Sequence, residues 1–453
     1  MVRDHRHEYD HSVSAPRIPS PATALLQRVS SELGVADDVR EFDSQPPHPV
    51  PLPSRLATAD LAWASVRAVC LMAGIRDMPD PDRISTAYRS DRVLTVDGIA
   101  PDVWSAYSGF WRSADGWVRT PGNYPHHAAR LLAGLGLGAG AGVDEVRAAI
   151  LECTTAEALG LITAERGLAV PVRPEDPRLD ARSRTTPLLD VSHENTGGSW
   201  DAPPASHVGR SPLAGIRVLD LTRVIAGPVC TRTLALLGAD VLRVDPPELA
   251  EPEWQHLDTG HGKRSALLDV RDERFRELLN AADVVVLGYR PSSLDRLGLS
   301  ASALTEDHPG LIVAQLSAWG MDEPDRAGFD SLVQAESGIS LIESPDGDRP
   351  GALPAQALDH SAGYLLAAAV IALLKRRRQE GGSWTVRTSL RRVAAELLGM
   401  PRTLEPVSER EFVTGDHSAT FDVDGRKLTT AAPVLPGFEF VAPRRWGSDQ
   451  PRR

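Results

Sequence analysis

From residue 213 onward, short apolar segments alternate with segments in which apolar residues recur at helical spacing. The short apolar segments predict strands at residues 216–221, 240–244, 265–270, 283–287 and 311–316, and the others predict helices at 229–237 and 274–281. Strands that are almost entirely apolar and alternate with helices are typical of a parallel sheet buried on both faces. This part of the chain is therefore predicted to have an α/β fold, with an open, mostly parallel, Rossmann-like sheet and helices on both faces.

The first half of the chain differs in composition and in its pattern of apolar residues, which predicts separate units. An Asp-Gly pair, Asp115-Gly116, stands between aromatic and β-branched residues and predicts a hairpin in a smaller α+β domain. Stretches rich in Pro, Ser, Asp and Gly predict a mobile arm and a linker. The predicted units are the arm at 1–57, with one helix near 22–33, the small domain at 58–170, the linker at 171–212, the sheet domain at 213–400 and a C-terminal extension at 401–453.

Asp359 stands just before the longest apolar run of the chain, residues 364–374, which continues into four cations at 375–378. This pattern predicts a helix that opens just after Asp359 and has its cations at the C-terminal end, where the macrodipole favours them. An Asp at the start of a helix is most often an N-cap. The run is too short to span a bilayer, so no membrane partner is expected.

Composition and charge narrow the functional classes. The chain has 453 residues, of which 42% are hydrophobic and 24% charged, as in ordinary globular proteins. A net charge of -12 disfavours binding to nucleic acid or to an anionic membrane, which needs a basic face. The 3 cysteines lack metal-ligand spacing and the first ten residues are polar, which predicts a cytoplasmic protein without disulfides or a signal peptide.

Three other patterns could indicate a ligand site, but each has a simpler explanation. The glycines between residues 134 and 142 could cradle a phosphate, but no strand precedes them, so a turn between helices is favoured. His126 and His127 lack a carboxylate at ligand spacing, which favours a surface pair over a metal site. The turn after the first strand contains only Gly227, so the glycine series of a dinucleotide-binding fold is absent.

Between residues 212 and 363, short motifs follow one another in a fixed order. They are Pro-Leu-Ala-Gly-Ile-Arg-Val-Leu-Asp at 212–220, Ala-Gly-Pro at 226–228, Leu-Gly-Ala-Asp-Val at 237–241, Gly-Lys-Arg-Ser at 262–265, Leu-Asp at 268–269, Ala-Asp-Val at 282–284, Tyr-Arg-Pro at 289–291, Leu-Gly at 297–298, Gly-Phe-Asp at 328–330, Gln-Ala at 334–335, Ser-Gly at 337–338 and Leu-Asp at 358–359 with Gly363. In this order they resemble the family III CoA-transferases, which include formyl-CoA and carnitine CoA-transferases.

The resemblance implies a transferase that moves CoA between an acyl-CoA and a small carboxylic acid, without a metal or a tightly bound cofactor. Asp359 would be the catalytic nucleophile, forming an aspartyl anhydride and then an aspartyl-CoA thioester, and a nucleophile at a helix start could also be a cap. Family members form homodimers of interlocked chains. The positions expected to bind CoA are Val224, Ile225, Ala226, Leu268, Arg271, Tyr289, Arg296, Leu297 and Phe329.

Individual members of this set have alternative interpretations. Tyr289 could stack on the adenine or simply pack in the core, and Arg271 and Arg296 could meet phosphates or remain solvated surface charges. Asp330, in the Gly-Phe-Asp motif, is interpreted as structural rather than nucleophilic.

The chain departs from the family pattern in its order. The family's small domain, with a hairpin like Asp115-Gly116, normally follows the catalytic Asp, whereas here it precedes the sheet domain. The first half is therefore either a permuted small domain or a decayed second copy.

Two other functions remain open. One is a racemase of 2-methylacyl-CoA, which would use a His and an Asp as opposed acid-base groups, but the family position for the His falls on Phe329, and only His360 lies nearby in sequence. The other is a protein that binds acyl-CoA without turnover.

Overall fold

The computed structural model describes residues 19–35, 48–195, 211–406 and 415–452. The helices are α1 (Pro21–Glu32), α2 (Thr58–Ala73), α3 (Pro81–Tyr88), α4 (Ser90–Val93), α5 (Pro125–Gly134), α6 (Val143–Leu151), α7 (Thr155–Ala164), α8 (Pro177–Ser183), α9 (Ala226–Leu236), α10 (Glu253–Thr259), α11 (Glu273–Asn280), α12 (Pro291–Asp295), α13 (Ala301–Asp307), α14 (Asp330–Ser337), α15 (Ile339–Ile342), α16 (Ala357–Glu380) and α17 (Leu390–Leu398). The strands are β1 (Thr95–Val96), β2 (Gly109–Arg112), β3 (Trp117–Thr120), β4 (Val170–Pro171), β5 (Asp190–Glu194), β6 (Arg217–Leu221), β7 (Asp240–Asp245), β8 (Arg264–Leu267), β9 (Val284–Leu287), β10 (Ile312–Ser317), β11 (Ser383–Ser389), β12 (Ser418–Val423) and β13 (Arg426–Ala431).

A seven-stranded sheet organises the second half of the chain, in the order β5-β11-β10-β9-β6-β7-β8. All neighbours pair in parallel except β5, which runs antiparallel to β11. From β8 to β11 the strand order is that of a doubly wound Rossmann-like fold. Successive strands are added toward one edge of the sheet from β6 to β8 and toward the other edge from β9 to β11, so the order switches between β6 and β9. The predicted α/β class is confirmed.

Alternate residues of each central strand face opposite sides of the sheet, because side chains alternate along a strand. In β6, Val218 packs into a core with α9 and α16, whereas Leu219 packs into a second core with α11 and α13. In β9, Val284 and Val285 divide between the two cores in the same way. Helices therefore cover both faces, as the apolar strands predicted.

Helix α16 lies in the middle of the larger core. It is long and apolar enough to cross a membrane by length and composition, but its apolar window is entirely buried inside the protein. That burial is typical of the central helix of a globular fold.

The first half of the chain is divided differently from the prediction. Part of the predicted arm is packed: α1 buries Leu25 and Val29 in the larger core, and Glu32 accepts hydrogen bonds from the backbone N–H groups of Leu188 and Leu189, both at 2.9 Å. Residues 48–57 are likewise described, whereas 1–18 and 36–47 lie outside the described residues. The apolar face of α1 is the physical reason that this stretch is not mobile.

The smaller domain also begins later than predicted. A separate core gathers Trp111 and Val118 of the β2–β3 hairpin with residues of α5, α6 and α7, and the hairpin turns at Asp115-Gly116 as expected. Helix α2, which falls in the predicted small domain, instead packs in the larger core with α16. The glycines between residues 134 and 142 join α5 to α6.

Two predicted connecting segments form regular structure. Within the predicted linker, β5 adds an edge strand to the sheet and α8 packs on α17, while residues 196–210 lie outside the described residues. In the C-terminal extension, β12 and β13 form a hairpin that pairs with β1. The polar residues of β5 were interpreted as a linker because an edge strand can expose most of its side chains.

Candidate active site

The loops at the carboxyl ends of β6 and β9 meet where the sheet reverses its strand order, which is where doubly wound sheets bind ligands. The loop after β6 turns tightly into α9. A Cβ atom on Gly227 would lie 2.3 Å from the Cβ of Thr222, so only glycine fits there. This close approach fixes the direction in which α9 leaves the sheet.

Val224 stands in that loop in a left-handed conformation, with φ of 72°, which is strained for a β-branched residue. Its N–H donates to Oε1 of Glu251 at 2.7 Å. Glu251 in turn pairs with the buried guanidinium of Arg243, which also makes a bidentate contact with Asp245 at 2.7 and 2.9 Å. A buried ionic network therefore holds the loop in place.

Asp359 is the third residue of α16, whereas the sequence predicted a helix that opens just after it. The helix begins at Ala357 after an N-cap at Gln356, so Asp359 is not the cap. Ala357 and Leu358 extend the helix backwards because both are buried in the core. The Asp359 carboxyl is 6% exposed and accepts no hydrogen bond within the described residues, which leaves its oxygens available to a ligand.

Asp330 lies beside Asp359 and is fully buried. Its Oδ2 accepts the backbone N–H of Asp359 at 2.9 Å, and its Oδ1 accepts Nε2 of Gln334 at 2.5 Å. The N–H of Leu358 also donates to this carboxylate. Asp330 thus orients the start of α16, which is consistent with the structural role expected for it from the sequence.

The two carboxyl groups have shifted acidities. Burial raises the pKa of Asp330 to about 6, although the hydrogen bonds it accepts oppose the rise. Burial, and then the charge of Asp330, raise the pKa of Asp359 well above its ordinary value. Because Asp330 accepts hydrogen bonds and Asp359 accepts none within the described residues, Asp330 is the member that ionises first and Asp359 holds its proton to higher pH.

An outer cleft of about 510 Å³ opens at the carboxyl ends of the strands and reaches Asp359. Ile225 does not line this cleft but faces the cavity behind it. Arg296 lines neither space; its side chain is 63% exposed and lies 3.6 Å from Asp325. The predicted site residues that do line the outer cleft are Val224, Ala226, Leu268, Arg271, Tyr289, Leu297, Phe329 and Asp359.

Tyr289 and Arg271 differ in their surroundings within the cleft. The hydroxyl of Tyr289 is buried and has no hydrogen-bond partner in the described part of the chain. Arg271 is 75% exposed and lies 3.5 Å from Asp269. Tyr289 is therefore a polar group buried in the wall of the cleft, and Arg271 is an exposed cation.

A second space, the inner cavity, opens on the other side of Asp359. Residues from the first half of the chain form much of its wall, including Tyr88, Trp104, Tyr124 and His127. The outer cleft and the inner cavity share Tyr124, His127, Val224, Phe329 and Asp359. Asp359 therefore stands at the junction of two spaces, one of which is completed by residues that the sequence motifs did not include.

Two histidines, His127 and His360, lie near this junction. His127 lies edge-on to Phe329, with ring centroids 5.6 Å apart, and burial lowers its pKa to about 4, so the surface-pair interpretation is wrong for this residue. His360 is buried and stacks on Tyr88 at 5.0 Å, and burial lowers its pKa to about 3. Both rings are neutral near pH 7. Only the apolar-aromatic context of His127 in the fold, and no sequence motif, identifies it as a site residue.

Comparison with known proteins bears on residues 213–420, which match the model of CoA-transferase family III. Over 206 residues the chain is 34% identical to the probable fatty acyl-CoA transferase Rv3272 of Mycobacterium tuberculosis, covering 41% of this chain and 52% of the relative. It is 33% identical over 176 residues to the human succinyl-CoA:glutarate CoA-transferase, covering 34% and 40%. A crystal structure of Rv3272 aligns with a TM-score of 0.39 at 33% identity, covering 41% of this chain and 56% of the other.

The chain thus spans about half the length of the curated relatives it matches. The matched residues contain the whole parallel part of the sheet, the loop at Val224, and Asp359. Residues 213–420 of this chain are thus similar to CoA-transferase family III, whose model they match.

Proposed function

We propose that this protein is an enzyme that moves CoA from an acyl-CoA to a carboxylic acid, with Asp359 as the covalent carrier. One observation carries the proposal: the Asp359 carboxyl, which accepts no hydrogen bond within the described residues, lies where the outer cleft meets the inner cavity. The outer cleft is lined by most of the positions expected to bind CoA. The cleft would take the CoA chain and the inner cavity the acyl group or the acid. The family match and the relatives named as CoA-transferases support this assignment.

The proposed reaction begins with attack of a carboxylate oxygen of Asp359 on the thioester carbonyl. A C–O bond forms, the C–S bond breaks, and CoA leaves as the thiolate, so the product is an aspartyl anhydride. The thiolate then attacks the aspartyl carbonyl of that anhydride, which releases the first acid as its carboxylate and leaves an aspartyl-CoA thioester. The acceptor carboxylate reverses both steps, and the cycle closes without net gain or loss of protons.

Asp359 must be ionised for the first step, and its surroundings make the ionised form reactive. Burial and the neighbouring charge of Asp330 raise the pKa of Asp359, which makes its carboxylate a stronger base than a solvated one. A carboxylate is a weak nucleophile, so enclosure at the junction of the two cavities also contributes by holding it against the thioester.

The oxyanion of each tetrahedral intermediate needs a donor. The N–H groups of Leu358 and Asp359, which the helix start would otherwise offer, bind Asp330 instead. The start of α9 provides the alternative, because the first N–H groups of a helix lack intrahelical partners and Ala226 lines the cleft. We therefore assign the oxyanion site to the start of α9.

A transfer assay tests the proposal. The native protein is incubated with an acyl-CoA and a panel of carboxylic acids, and the newly formed acyl-CoA species are separated and identified by mass spectrometry. Asp359→Asn should abolish transfer and retain CoA binding, while Asp346→Asn, at an exposed site, should leave the rate unchanged. A native protein that binds CoA but transfers it to none of the acids would be a binding protein instead.

A second candidate function is favoured by the position of His127, which lines both spaces together with Asp359. A His and an Asp on opposite sides of the α-carbon of a 2-methylacyl-CoA could remove the α-proton and return another from the opposite face. Incorporation of deuterium at the α-carbon in D2O, lost in His127→Gln, would support this racemase. Transfer of CoA without α-exchange would exclude it.

A further inference from the structure

Arg119 lies on β3, with its side chain buried beside the proposed active site; the residue is 7% exposed. It lines a third cavity of about 310 Å³, which we call the distal cavity. The distal cavity adjoins the inner cavity, since the two share the lining residues Asp91, Trp104, Ser108, Ser331 and Gln356. Arg119 therefore lines a cavity that adjoins the one lined by Asp359.

The guanidinium of Arg119 has neither an ion-pair partner nor a hydrogen-bond acceptor within the described residues, and its Nε atom is fully buried. Burial lowers the pKa of Arg119 to about 10, which leaves it charged at neutral pH. Its contacts are aromatic: the guanidinium carbon lies 4.9 Å from the ring centroid of Phe110 and 5.9 Å from that of Trp104. A buried cation with only aromatic neighbours is costly in the ligand-free protein.

Two other buried cations of this fold are paired with carboxylates. Arg243 binds Asp245 and Glu251, and Lys263 lies 3.0 Å from Asp220. Arg119 differs from these two cations, because no carboxylate pairs with it within the described residues and it lines a cavity instead.

The remaining charges of the distal cavity leave it positive. Asp91 and Arg92 line it as well; Arg92 offsets the charge of Asp91 and donates to the carbonyl of Pro354 at 3.0 Å. With Arg119 added, two guanidinium groups face one carboxylate. An anionic ligand group would complete the balance.

We infer that the acid substrate is a dicarboxylic acid whose second carboxylate binds Arg119. This inference rests on the proposed function, in which the first carboxyl group reacts at Asp359. The planar guanidinium can bind a carboxylate through two parallel hydrogen bonds, which also fixes its orientation. In this proposal the acid extends from the distal cavity into the adjoining inner cavity, with one acid group at each end.

The test compares acids of equal chain length with one or two carboxylates as CoA acceptors, namely glutarate with pentanoate and succinate with butanoate. The native protein should use the dicarboxylates with the lower KM. Arg119→Gln should raise the KM for glutarate about 10- to 100-fold, the worth of a charge-assisted pair, with little change for pentanoate. Arg119→Lys should recover part of the preference. Arg112→Gln is the matched control, because Arg112 lies on the paired strand β2 with a half-exposed side chain.

Thermal unfolding separates a binding role from a structural one. Because the cation is unpaired, Arg119→Gln should unfold at the native temperature or above it, and glutarate should raise the unfolding temperature of the native protein but not of the variant. A preference for pentanoate, or an equal loss for both acids in Arg119→Gln, would overturn the inference while leaving CoA transfer intact. If no acid is a CoA acceptor, the proposed function fails, and the glutarate-dependent shift still decides whether Arg119 binds a dicarboxylate.

Discussion

The backbone N–H of Asp359 donates to the Asp330 carboxylate at 2.9 Å, and the Asp359 carboxyl itself accepts no hydrogen bond within the described residues. One acid thus orients the other without neutralising it. The charge of Asp330 and the burial of the site combine to hold the proton on Asp359. The arrangement ties the reactivity of Asp359 to a neighbour that never touches the substrate in the proposed reaction.

The acid limb of the pH-rate profile should report this coupling. The reactive form of Asp359 is the carboxylate, so transfer should rise with pH as Asp359 ionises. Asp330→Asn removes the like charge, which lowers the pKa of Asp359, and the acid limb should move to lower pH while staying above the range of a solvated Asp because burial remains. The measurement is kcat/KM for CoA transfer against pH. An acid limb that stays in place would show that Asp330 acts through geometry alone.

The stability of the protein should also depend on the protonation of Asp359. Its pKa is raised in the folded state, so between the ordinary Asp pKa and the raised value the folded state binds more protons, and stability falls as pH rises. Asp359→Asn lacks this loss and should be more stable than the native protein at neutral pH, by about 1.4 kcal/mol for each unit of the raised pKa.

Denaturant unfolding at several pH values checks this difference. The gap between Asp359→Asn and the native protein should close below the ordinary Asp pKa, where both side chains are neutral. A variant that is less stable than the native protein at neutral pH would contradict the assigned direction of the shift.

Gly363 sets the distance between α16 and the loop that faces Asp359. A Cβ atom there would lie 2.5 Å from the carbonyl oxygen of Ala226 and 2.9 Å from the Cβ of Val229, so Gly363→Ala would force α16 away from α9. We expect a loss of about 1–3 kcal/mol in stability and a lower transfer rate. Gly160→Ala, in helix α7 with open space around the added atom, should instead be neutral or stabilising by up to about 1 kcal/mol. Equal stability changes in the two variants, measured by denaturant unfolding, would disprove the close contact.

Two arginines that the sequence treated alike should behave differently toward CoA. Arg271 lines the outer cleft and Arg296 does not. Because Arg271 is largely exposed, Arg271→Gln should raise the KM for acyl-CoA only several-fold, and the effect should weaken with added salt. Arg296→Gln should leave the KM unchanged. A raised KM in Arg296→Gln with an unchanged KM in Arg271→Gln would instead place the CoA phosphates near Arg296, outside the outer cleft.

Sequence reasoning located the parts of the site that local patterns specify. The strands, the loop at Val224 and the neighbourhood of Asp359 follow from apolar runs and from short motifs in order, because each is encoded by residues close together in the chain. The start of α16 was predicted three residues late, because an Asp at a helix start is most often a cap, whereas the buried Ala357 and Leu358 already belong to the helix.

The inner wall of the site could not be predicted, because it depends on contacts between distant parts of the chain. Tyr124 and His127 reach Phe329 across about 200 positions, and no periodicity or motif marks such a contact. Strand β5 escaped prediction for a different reason: its residues are polar because the edge of the sheet exposes them. In the sequence Arg119 is likewise an ordinary hairpin residue; only the fold shows that it is buried without an ion-pair partner among the described residues.

The proposed reaction requires that Asp359 carry the acyl group, and then CoA, through a covalent bond. The direct measurement is peptide mass spectrometry of the native protein quenched after mixing with an acyl-CoA, with Asp359→Asn as the control. We predict that the peptide containing Asp359 gains the mass of CoA less one water through a thioester, that hydroxylamine removes the adduct, and that the variant shows none. An unmodified Asp359 peptide in a preparation that is transferring CoA, or an adduct on another residue, would contradict the account.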